Sequence, residues 1–415
     1  MTRVVIIGAG FAGLNAAKTL ANRPGVEVLL LDRANHHLFQ PLLYQVATAA
    51  LSPADISAPV RSILRRARNV RVLMAEVRGV DPVTRRVDTD AGQFTGDYVL
   101  LGAGATHAYF GHTDWEAAAP GLKTLPQATA TRARILLAFE QAERSDDPQS
   151  QRSWLNFVIV GGGPTGVEMA GAIAEMSRYT LARDFRRIDP RQARVLLVEA
   201  GLRLLPAFTA RSSARAQRDL EALGVDVRLG SAVTDVATDS VTIGGERIAT
   251  RTIIWAAGVR AAPLAQSLGV PLDRAGRVPV TAGITIPGHE RVFVLGDLAA
   301  ATDPRTQRPL PGVAQVALQQ GRYAANAILA DLRGAPRGVF LYRDKGQMAT
   351  IGRQRAVCEI GALRFGGRLA WWLWLTVHIM GLTGFRSRAS VMLQWGWSFL
   401  TYGRGARLII GREGR

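Results

Sequence analysis

Two stretches of the chain share one pattern, in which a short apolar run leads into closely spaced glycines and then into a helical periodicity. The first stretch covers residues 4–20 and the second residues 156–175. β-branched residues dominate both apolar runs, as they do in strands buried within a parallel sheet. The glycines that follow are spaced as G-x-G-x-x-G in both stretches. The pattern therefore predicts an α/β fold that contains two strand–loop–helix units.

The remaining apolar and polar runs extend both units in the same order. Each unit continues with a second strand that ends in an acidic residue, Asp32 in one and Glu199 in the other. Each then closes on an apolar strand that runs into small residues, at Gly104 and at Gly258. We expect further strands within 70–95, 225–248 and 292–295, further helices at 56–66 and 128–143, and a polar linker at 145–153.

The spacing of the glycines is the one that dinucleotide binding requires. The first glycine permits a tight turn, the second lets backbone approach a pyrophosphate, and the third lets helix and strand pack closely. The pyrophosphate then lies at the helix N-terminus, where free N–H groups favour negative charge. We therefore expect two Rossmann-like dinucleotide-binding domains, with one dinucleotide and a degenerate second copy as the alternative. The expected binding positions are Gly8, Gly10, Ala12, Gly13 and Gly104 in the first unit, and Gly161, Gly163, Gly166 and Gly258 in the second.

Acidic residues at the ends of predicted strands are candidates for binding sugar hydroxyls. Asp32 and Glu199 occupy the position that accepts hydrogen bonds from a ribose. A carboxylate at Glu199 repels a 2′-phosphate and so favours NADH, although the nearby Arg203 leaves NADPH as the alternative. Asp297, which follows the strand at 292–295, can reach the sugar-like chain of a flavin dinucleotide.

Three further polar residues are candidates for the chemistry. Glu168 lies in the first turn of the second unit's helix, where it stabilises the helix dipole, shapes a nicotinamide pocket or relays a proton. Gln315 and Gln319 are spaced i, i+4 and so share one face of a predicted helix. Their small neighbours would let a ligand approach, and the alternative is a helix with two surface glutamines.

The composition of the chain restricts the classes of partner and cofactor that it can bind. The net charge is +18, and three of the 51 basic residues are lysine, which leaves 48 arginines. A basic chain attracts nucleic acid or an anionic membrane surface, and the absence of a nucleic-acid signature favours the membrane. Cys358 is the only cysteine, so disulfides and thiolate metal sites are excluded. His36 and His37 have no third ligand at a useful spacing, so no metal is expected.

The C-terminal stretch differs from the rest and predicts contact with a membrane. It contains five of the eight tryptophans, and residues 369–385 and 389–403 carry no formal charge. Seventeen helical residues span only about 25 Å, short of a hydrocarbon core of about 30 Å. Two arginine-flanked helices lying in the interface are therefore expected, with a dimer interface and a membrane-spanning hairpin as alternatives.

Together these features resemble one family, the type II NADH:quinone oxidoreductases, which are single-subunit flavoproteins of respiratory membranes. The glycine motifs are shared with many flavin reductases, whereas the segment with Gln315 and Gln319 and the tryptophan-rich tail narrow the assignment. The resemblance covers nearly the whole chain. It is carried by residues 8–13 with Asp32, 35–44, 102–104, 161–168, Glu199, 255–258, 296–297, 314–320, 344–352 and the tail.

The resemblance implies a discontinuous FAD-binding domain at 1–118 and 276–330, an NADH-binding domain at 119–275 and a membrane-anchoring region at 331–415. It implies that FAD is bound by Gly8, Gly10, Asp32, Asp297 and Gln315, and NADH by Gly161, Gly163, Glu168 and Glu199. No signal peptide precedes the first strand, so the catalytic part is expected at the cytoplasmic face of the plasma membrane, as a peripheral protein.

The implied reaction is hydride transfer from NADH to FAD followed by transfer of two electrons to a membrane quinone, without ion pumping. The quinone, ubiquinone or menaquinone, would enter a tunnel that ends at Gln315 and Gln319. Protons would come from water or through Glu168, and Lys345 would stabilise charge on the reduced flavin unless it is an ordinary loop lysine. A homodimer formed through the tail is a further expectation.

Other functions share the same architecture. A sulfide:quinone oxidoreductase needs a pair of reactive cysteines, which Cys358 alone cannot supply. A soluble FAD-dependent NAD(P)H reductase of a small electron-carrier protein is the second alternative. It would not explain the tryptophan-rich tail, because such an enzyme does not need a membrane. The remaining alternative is not primarily an enzyme: a flavoprotein that binds NADH as a sensor and turns over slowly.

Overall fold

A computed structural model describes residues 1–401, 403 and 405–409. The last part of the predicted anchoring region, residues 402, 404 and 410–415, lies outside the described residues. The α-helices are α1 (Phe11–Leu20), α2 (Leu43–Ala47), α3 (Val60–Ile63), α4 (Leu125–Arg144), α5 (Pro148–Leu155), α6 (Pro164–Glu175), α7 (Ala210–Ala222), α8 (Ala314–Asp331), α9 (Arg368–Gly381) and α10 (Phe385–Thr401).

The strands alternate with these helices along the chain, as an α/β fold requires. They are β1 (Thr2–Ile7), β2 (Val26–Asp32), β3 (His36–Leu38), β4 (Ser57–Pro59), β5 (Val70–Met74), β6 (Val77–Asp81), β7 (Arg86–Thr89), β8 (Gly92–Thr95), β9 (Tyr98–Leu101), β10 (Ala105–His107), β11 (Asn156–Val160), β12 (Arg194–Val198), β13 (Val225–Arg228), β14 (Val233–Val236), β15 (Ser240–Ile243), β16 (Glu246–Ala249), β17 (Thr252–Trp255), β18 (Val259–Ala261), β19 (Val278–Pro279), β20 (Thr285–Ile286), β21 (His289–Val294), β22 (Ala299–Ala300), β23 (Gln347–Gly352), β24 (Arg355–Ile360) and β25 (Leu363–Gly366).

The chain divides into two compact units. Unit 1 comprises residues 1–38, 58–106 and 259–345, and unit 2 comprises residues 39–57, 107–258 and 346–415. This division assigns residues 39–57 and the C-terminal strands and helices to the same unit as the second glycine motif. The boundaries of the three expected domains stay a prediction.

Unit 1 is built on a six-stranded sheet in the order β20-β21-β9-β1-β2-β5. The strands from β21 to β5 are mutually parallel, and β20 pairs antiparallel at one edge. The β1 side chains from Val4 to Ile7 are buried on both faces, which explains why the strand is apolar throughout. Helices α1 and α8 pack against each other beside this sheet. Gly321 allows this packing, because a Cβ there would lie 2.1 Å from the carbonyl oxygen of Ala12.

Unit 2 repeats the arrangement with a parallel sheet in the order β13-β12-β11-β17. Helix α6 follows β11 as α1 follows β1, so the two strand–loop–helix units predicted from the sequence are confirmed. An antiparallel sheet in the order β23-β24-β25 packs with β23 on α6 and with β24 on α9. Gly171 makes the first contact possible, because a Cβ there would lie 1.7 Å from the carbonyl oxygen of Ile351.

The two C-terminal helices, α9 and α10, are packed onto unit 2. The carboxylate of Asp55 accepts hydrogen bonds from Ser390 Oγ (2.8 Å) and from Gln394 Nε2 (2.9 Å). The indole N–H of the adjacent Trp395 donates to Gln45 Oε1 at 2.7 Å. Polar contacts therefore fix one side of α10. Among the described residues, no helix combines the length and the apolar character that crossing a bilayer demands.

Two local predictions were wrong. The helix expected at 56–66 is instead the short strand β4 followed by the four-residue helix α3, since Pro59 interrupts the segment. The linker expected at 145–153 contains helix α5. The carboxylate of Asp147 caps this helix by accepting hydrogen bonds from the N–H groups of Gln149 and Ser150, and Pro148 occupies its first position.

Candidate functional site

The first glycine loop, between β1 and α1, has little room for any side chain at two of its three positions. Gly8 has a φ of +92°, and a Cβ there would lie 2.4 Å from the carbonyl oxygen of Gly102. A Cβ at Gly13 would lie 1.9 Å from the carbonyl oxygen of Gly8. At Gly10, by contrast, φ is −69° and a Cβ would meet nothing within 4 Å. Neither sterics nor backbone conformation requires glycine at this position, so the open space is suited to a ligand that approaches the backbone.

The peptide of Ala9 within this loop is held at both ends. Asp32 Oδ2 accepts a hydrogen bond from the Ala9 N–H at 2.6 Å, and Asp32 Oδ1 accepts one from the Ala34 N–H at 2.7 Å. His37 Nδ1 lies 2.8 Å from the Ala9 carbonyl oxygen and donates to it, because a carbonyl oxygen can only accept. Burial lowers the pKa of His37 and keeps its ring neutral. The loop is thereby fixed before any ligand binds.

The structure gives the adjacent histidines a role that does not involve a metal. His36 contacts the side chain of Asn35, whereas His37 supports the glycine loop. Among the described residues, no group of histidine, cysteine, aspartate and glutamate is arranged to hold a metal ion.

Asp297 and Gln320 border a second part of the same unit. Both line a cavity together with Gly296, Gly312 and Val316. Gln320 is fully buried; its Oε1 accepts from the Gly296 N–H at 2.6 Å, while its Nε2 has no partner among the described residues. A buried amide donor without a partner is costly, so the cavity is suited to a ligand with hydrogen-bond acceptors. Gln320 was missed from the sequence because three glutamines lie close together there and periodicity alone did not single it out.

The order of the strands places the two acids of unit 1 at separate points along one edge. Asp32 ends β2 and Asp297 follows β21, with β1 and β9 between them. Three strand spacings correspond to about 14 Å. An extended dinucleotide could therefore contact Asp32 with one end, cross Gly10, and contact the region of Asp297 with the other. The residues of unit 1 fit FAD. Of the remaining predicted positions, Ala12 contacts Gly321 through its backbone, and Gly104 has a φ of +69°.

The second glycine loop, between β11 and α6, reproduces the geometry of the first. A Cβ at Gly161 would lie 2.6 Å from the N atom of Ala257, and one at Gly166 would lie 1.8 Å from the carbonyl oxygen of Gly161. Gly163 has a φ of −72° and open space around its Cα, as Gly10 does. Glu199 Oε2 accepts from the Gly162 N–H at 2.6 Å, which corresponds to the bond between Asp32 and Ala9.

The surroundings of Glu199 bear on which nicotinamide cofactor fits. Its second oxygen accepts from the Gly201 N–H at 2.7 Å, which orients the carboxylate beside the loop. Arg203, the residue that left NADPH open, donates to the carbonyl oxygen of Pro206 at 2.8 Å. A fixed carboxylate and an arginine engaged elsewhere fit an unphosphorylated ribose, as in NADH. The predicted position Gly258 has a φ of +69° and lies against the ring of Phe110.

Glu168, on α6, borders a separate cavity within unit 2. The residue as a whole is partly exposed where it faces this cavity, yet protein surrounds its carboxyl group closely. Burial raises the pKa of Glu168 well above the usual range, and a hydrogen bond from the Thr350 backbone opposes this only in part. The carboxyl group therefore keeps its proton to a higher pH than an exposed glutamate does. The other walls come from α2, β23, α9 and α10 and include Tyr44, Gln45, Trp371, Trp374, Trp395 and Phe399.

The remaining predicted residues lie in unit 1. Gln315 and Gln319 share one face of α8, as expected, and both are partly exposed. Gln319 pairs with the backbone of Arg343, donating to its carbonyl oxygen at 2.9 Å and accepting from its N–H at 3.0 Å. Lys345 lies exposed in the loop that follows Arg343. The structure thus connects Gln319 with this loop, while the chemical roles of these residues stay predictions.

The two C-terminal helices carry an exposed apolar surface. On α9, Leu369, Trp372 and Met380 are more than half exposed, and on α10 the same holds for Leu393 and Trp397. The spacing on α9 puts these side chains on one face of the helix. Large apolar side chains grouped in this way mark a contact surface rather than ordinary protein exterior.

Comparison with known proteins decides the family. Residues 2–321 match the pyridine nucleotide-disulphide oxidoreductase family model, and residues 345–404 match the NDH2 C-terminal domain. The type II NADH:quinone oxidoreductase Ndh of Mycobacterium tuberculosis is 44% identical over 99% of this chain and 91% of its own length. The chain belongs to the type II NADH:quinone oxidoreductase family. NdhA of the same organism, also a type II NADH:quinone oxidoreductase, is 44% identical over 98% of the chain and 89% of its own length.

Solved structures agree on the fold of this type II oxidoreductase. The NDH2 structure from Plasmodium falciparum in complex with NADH superimposes with a TM-score of 0.89 at 19% identity, covering 99% of this chain and all of the other. The resemblance stated from the sequence and the α/β fold with two Rossmann-like domains are confirmed.

Proposed function

We propose that this chain is a membrane-peripheral flavoenzyme that oxidises NADH and reduces a membrane quinone through bound FAD. The overall reaction consumes NADH, one proton and a quinone, and yields NAD⁺ and a quinol. The observation that carries the proposal is the duplicated loop. In each copy, a glycine with open space around it precedes a helix, and a strand-end acid holds the preceding peptide. One copy suits a resident cofactor and the other suits the nucleotide that donates the hydride.

The residues of unit 1 would hold FAD. The free N–H groups at the start of α1 would bind the pyrophosphate beside Gly10, Asp32 would bind a ribose, and Gln320 Nε2 would gain the acceptor it lacks. Bound FAD supplies the chemistry that accepts a hydride and releases electrons. The protein contributes placement, since the loop is already fixed by Asp32 and His37.

The residues of unit 2 would hold NADH. The start of α6 would bind its pyrophosphate beside Gly163, and Glu199 would accept hydrogen bonds from its ribose hydroxyls. Because its carboxylate repels a 2′-phosphate, NADH is preferred over NADPH.

The cavity beside Glu168 is the proposed place of the quinone. Its aromatic walls suit a flat ring, and the helices that form part of its wall also carry the exposed apolar surface of the tail. Glu168, whose pKa burial raises, would donate the proton that a quinone oxygen needs when it becomes a hydroxyl. Gln315, Gln319 and Lys345 stay our candidates for the flavin end of the quinone path, with Gln319 holding the loop at Arg343 in place.

The apolar surface of α9 and α10 is proposed to lie in the headgroup region of an anionic membrane. Arg364, Arg368 and Arg388 stand near the ends of the two helices, where cationic side chains bind anionic lipids. We place the enzyme at the cytoplasmic face, and we retain the tail-mediated homodimer as a prediction.

The decisive experiment is a pair of half-reactions. The purified protein should be yellow, be bleached by stoichiometric NADH, and regain its colour with menadione, whereas NADPH should react far more slowly. The double variant Gln315→Ala, Gln319→Ala is expected to slow quinone turnover while flavin reduction by NADH stays fast. Equal losses in both half-reactions would argue against the placement of the two glutamines. A protein that binds no flavin when FAD is supplied would refute the proposed function.

A further inference from the structure

The cavity of unit 2 contains a buried tryptophan whose only polar side-chain atom lacks a partner. Trp374, on α9, is 2% exposed, and its Nε1 makes no hydrogen bond within the described part of the chain. Two other indoles of the same unit are satisfied. Trp395 donates to Gln45 at 2.7 Å, and Trp255 donates to the carbonyl oxygen of Ala108 at 3.0 Å. A buried indole N–H ordinarily finds an acceptor. The unpaired N–H of Trp374 therefore indicates that a ligand with a hydrogen-bond acceptor binds beside it.

The ring of Trp374 is held in place on two sides. His378 stacks on it with a centroid distance of 4.3 Å and an interplanar angle of 27°, and Trp395 packs at 5.5 Å and 30°. His378 also donates from Nδ1 to the backbone carbonyl oxygen of Trp374 at 2.7 Å. Burial lowers the pKa of His378 to about 4, so this contact persists without a charge at neutral pH. The indole cannot easily turn to find another acceptor.

We propose that Trp374 donates its indole N–H to a carbonyl oxygen of the quinone ring and thereby determines which acceptors the enzyme accepts. The inference rests on the proposed function, and it adds a specificity-determining residue to that site. A quinone carbonyl is an acceptor without a proton, so it matches a fixed donor. The flat ring matches the aromatic walls formed by Trp371, Trp395 and Phe399. A lipid acyl chain would fill the cavity without satisfying the donor.

The test uses a variant that keeps an aromatic side chain and removes the indole N–H together with the five-membered ring. Trp374→Phe is compared with Trp154→Phe, which makes the same change at a partly exposed tryptophan of unit 2 that does not line the cavity. Steady-state rates are measured with NADH and either menadione or ferricyanide, an acceptor that carries no carbonyl. We expect Trp374→Phe to raise the KM for menadione about tenfold, as loss of one buried hydrogen bond implies. Ferricyanide reduction by both variants and the menadione KM of Trp154→Phe should stay near wild type.

The outcomes separate the inference from the function on which it rests. An unchanged menadione KM in Trp374→Phe, with normal wild-type turnover, overturns the role of Trp374 and leaves the proposed function standing. Wild-type protein that reduces ferricyanide but not menadione overturns the proposed function. Should Trp374→Phe fail to fold, ¹⁵N-indole NMR of the wild type decides. Menadione should then shift one tryptophan N–H signal downfield and slow its exchange, and an unchanged spectrum would contradict the proposal.

Discussion

The imidazole of His37 donates to the carbonyl oxygen of Ala9 at 2.8 Å, on the same residue whose N–H is bound by Asp32. The turn of the first glycine loop is therefore held by two side chains rather than by its glycines alone. His37 is 5% exposed and its ring packs edge-on against Phe11 at 5.3 Å, so its position is well defined. A residue that first suggested a metal ligand thus serves the nucleotide loop.

This relationship predicts weaker retention of FAD when His37 is replaced by Phe. The variant keeps an aromatic ring and removes the hydrogen bond to Ala9, which is worth about 1 kcal/mol, or roughly a fivefold change in an equilibrium constant. Flavin release on dilution, followed by flavin fluorescence, measures the effect. His36→Phe is the matched control, since the side chain of His36 is hydrogen-bonded to Asn35 whereas that of His37 is bonded to Ala9. Equal release from both variants would count against the role of His37.

The second glycine loop separates glycines needed for folding from one needed for binding. Gly163→Ala is expected to leave the free energy of unfolding within about 0.5 kcal/mol of wild type, because its Cβ meets no atom. It should nevertheless weaken NADH binding about tenfold or more, since the pyrophosphate must come close there. Gly166→Ala should instead prevent stable folding, because its Cβ would lie 1.8 Å from a carbonyl oxygen. Titration of NADH against each folded variant, alongside chemical denaturation, distinguishes the two roles.

The fold could be predicted from the sequence largely because its two key loops carry local signals. Glycine spacing, β-branched strands and strand-end acids are all short-range features, and each of them lies where the pattern indicated. The missed helix α5 also had a local signal, since Asp147 and Pro148 form a standard helix start that the polar composition of the segment obscured.

The candidate site was less predictable because much of it depends on contacts between distant segments. Gln320 differs from Gln319 only by one position in a helix, yet that step of about 100° takes it from the surface into the core. The unpartnered indole of Trp374 became visible only after α2, α6 and α10 were placed around it. Sequence periodicity indicated which face of a helix a residue occupies, but not which acceptors lie near it.

Glu168 predicts a pH dependence of quinone turnover. Because burial raises the pKa of its carboxyl group well above the usual range, the acid keeps its proton to a higher pH than an exposed glutamate and loses it as pH rises further. We expect the rate of quinone reduction to fall on the alkaline side as this proton donor is lost. Glu168→Gln should have a lower rate at neutral pH and lack that decline. A pH–rate profile with menadione checks this, and an unchanged alkaline decline in the variant would assign the titration to another group.

The raised pKa of Glu168 also predicts how the stability of the folded state changes with pH. The direction is opposite to that for a carboxylate in an ion pair, whose folded pKa is lowered. A carboxyl whose folded pKa is raised stabilises the folded state at low pH, and this contribution is lost as pH rises from the unfolded pKa toward the folded one. Relative to Glu168→Gln, wild type should therefore lose stability as pH increases through that window. Thermal unfolding of both proteins across the pH range measures the difference, and parallel curves would contradict the raised pKa.

The exposed apolar face of the tail predicts how the enzyme binds membranes. Leu393 is 72% exposed on α10, so Leu393→Glu should leave the fold intact while it opposes insertion into the headgroup region. Flotation with vesicles that contain phosphatidylglycerol should show the variant mainly in the soluble fraction, with ferricyanide reduction unchanged. Leu202→Glu, at an exposed leucine in the segment between β12 and α7, is the control. Equal flotation of both variants would refute this orientation.

Asp55 predicts that the tail can be loosened without touching either glycine loop. Its carboxylate is 7% exposed and accepts from the Ser52 N–H at 2.8 Å as well as from Ser390 and Gln394 of α10. Asp55→Ala leaves these donors unsatisfied and should cost about 2–3 kcal/mol, since hydrogen bonds to charged groups are the stronger ones. Because α10 holds part of the cavity wall, the KM for menadione should rise while NADH still reduces the flavin at the wild-type rate. Limited proteolysis should cut α10 first.

Ser390→Ala is the graded control, because it removes only one of the bonds to Asp55. Its KM for menadione and its rate of proteolysis should lie between those of Asp55→Ala and wild type. If Ser390→Ala matches Asp55→Ala, the carboxylate is not what holds the helix.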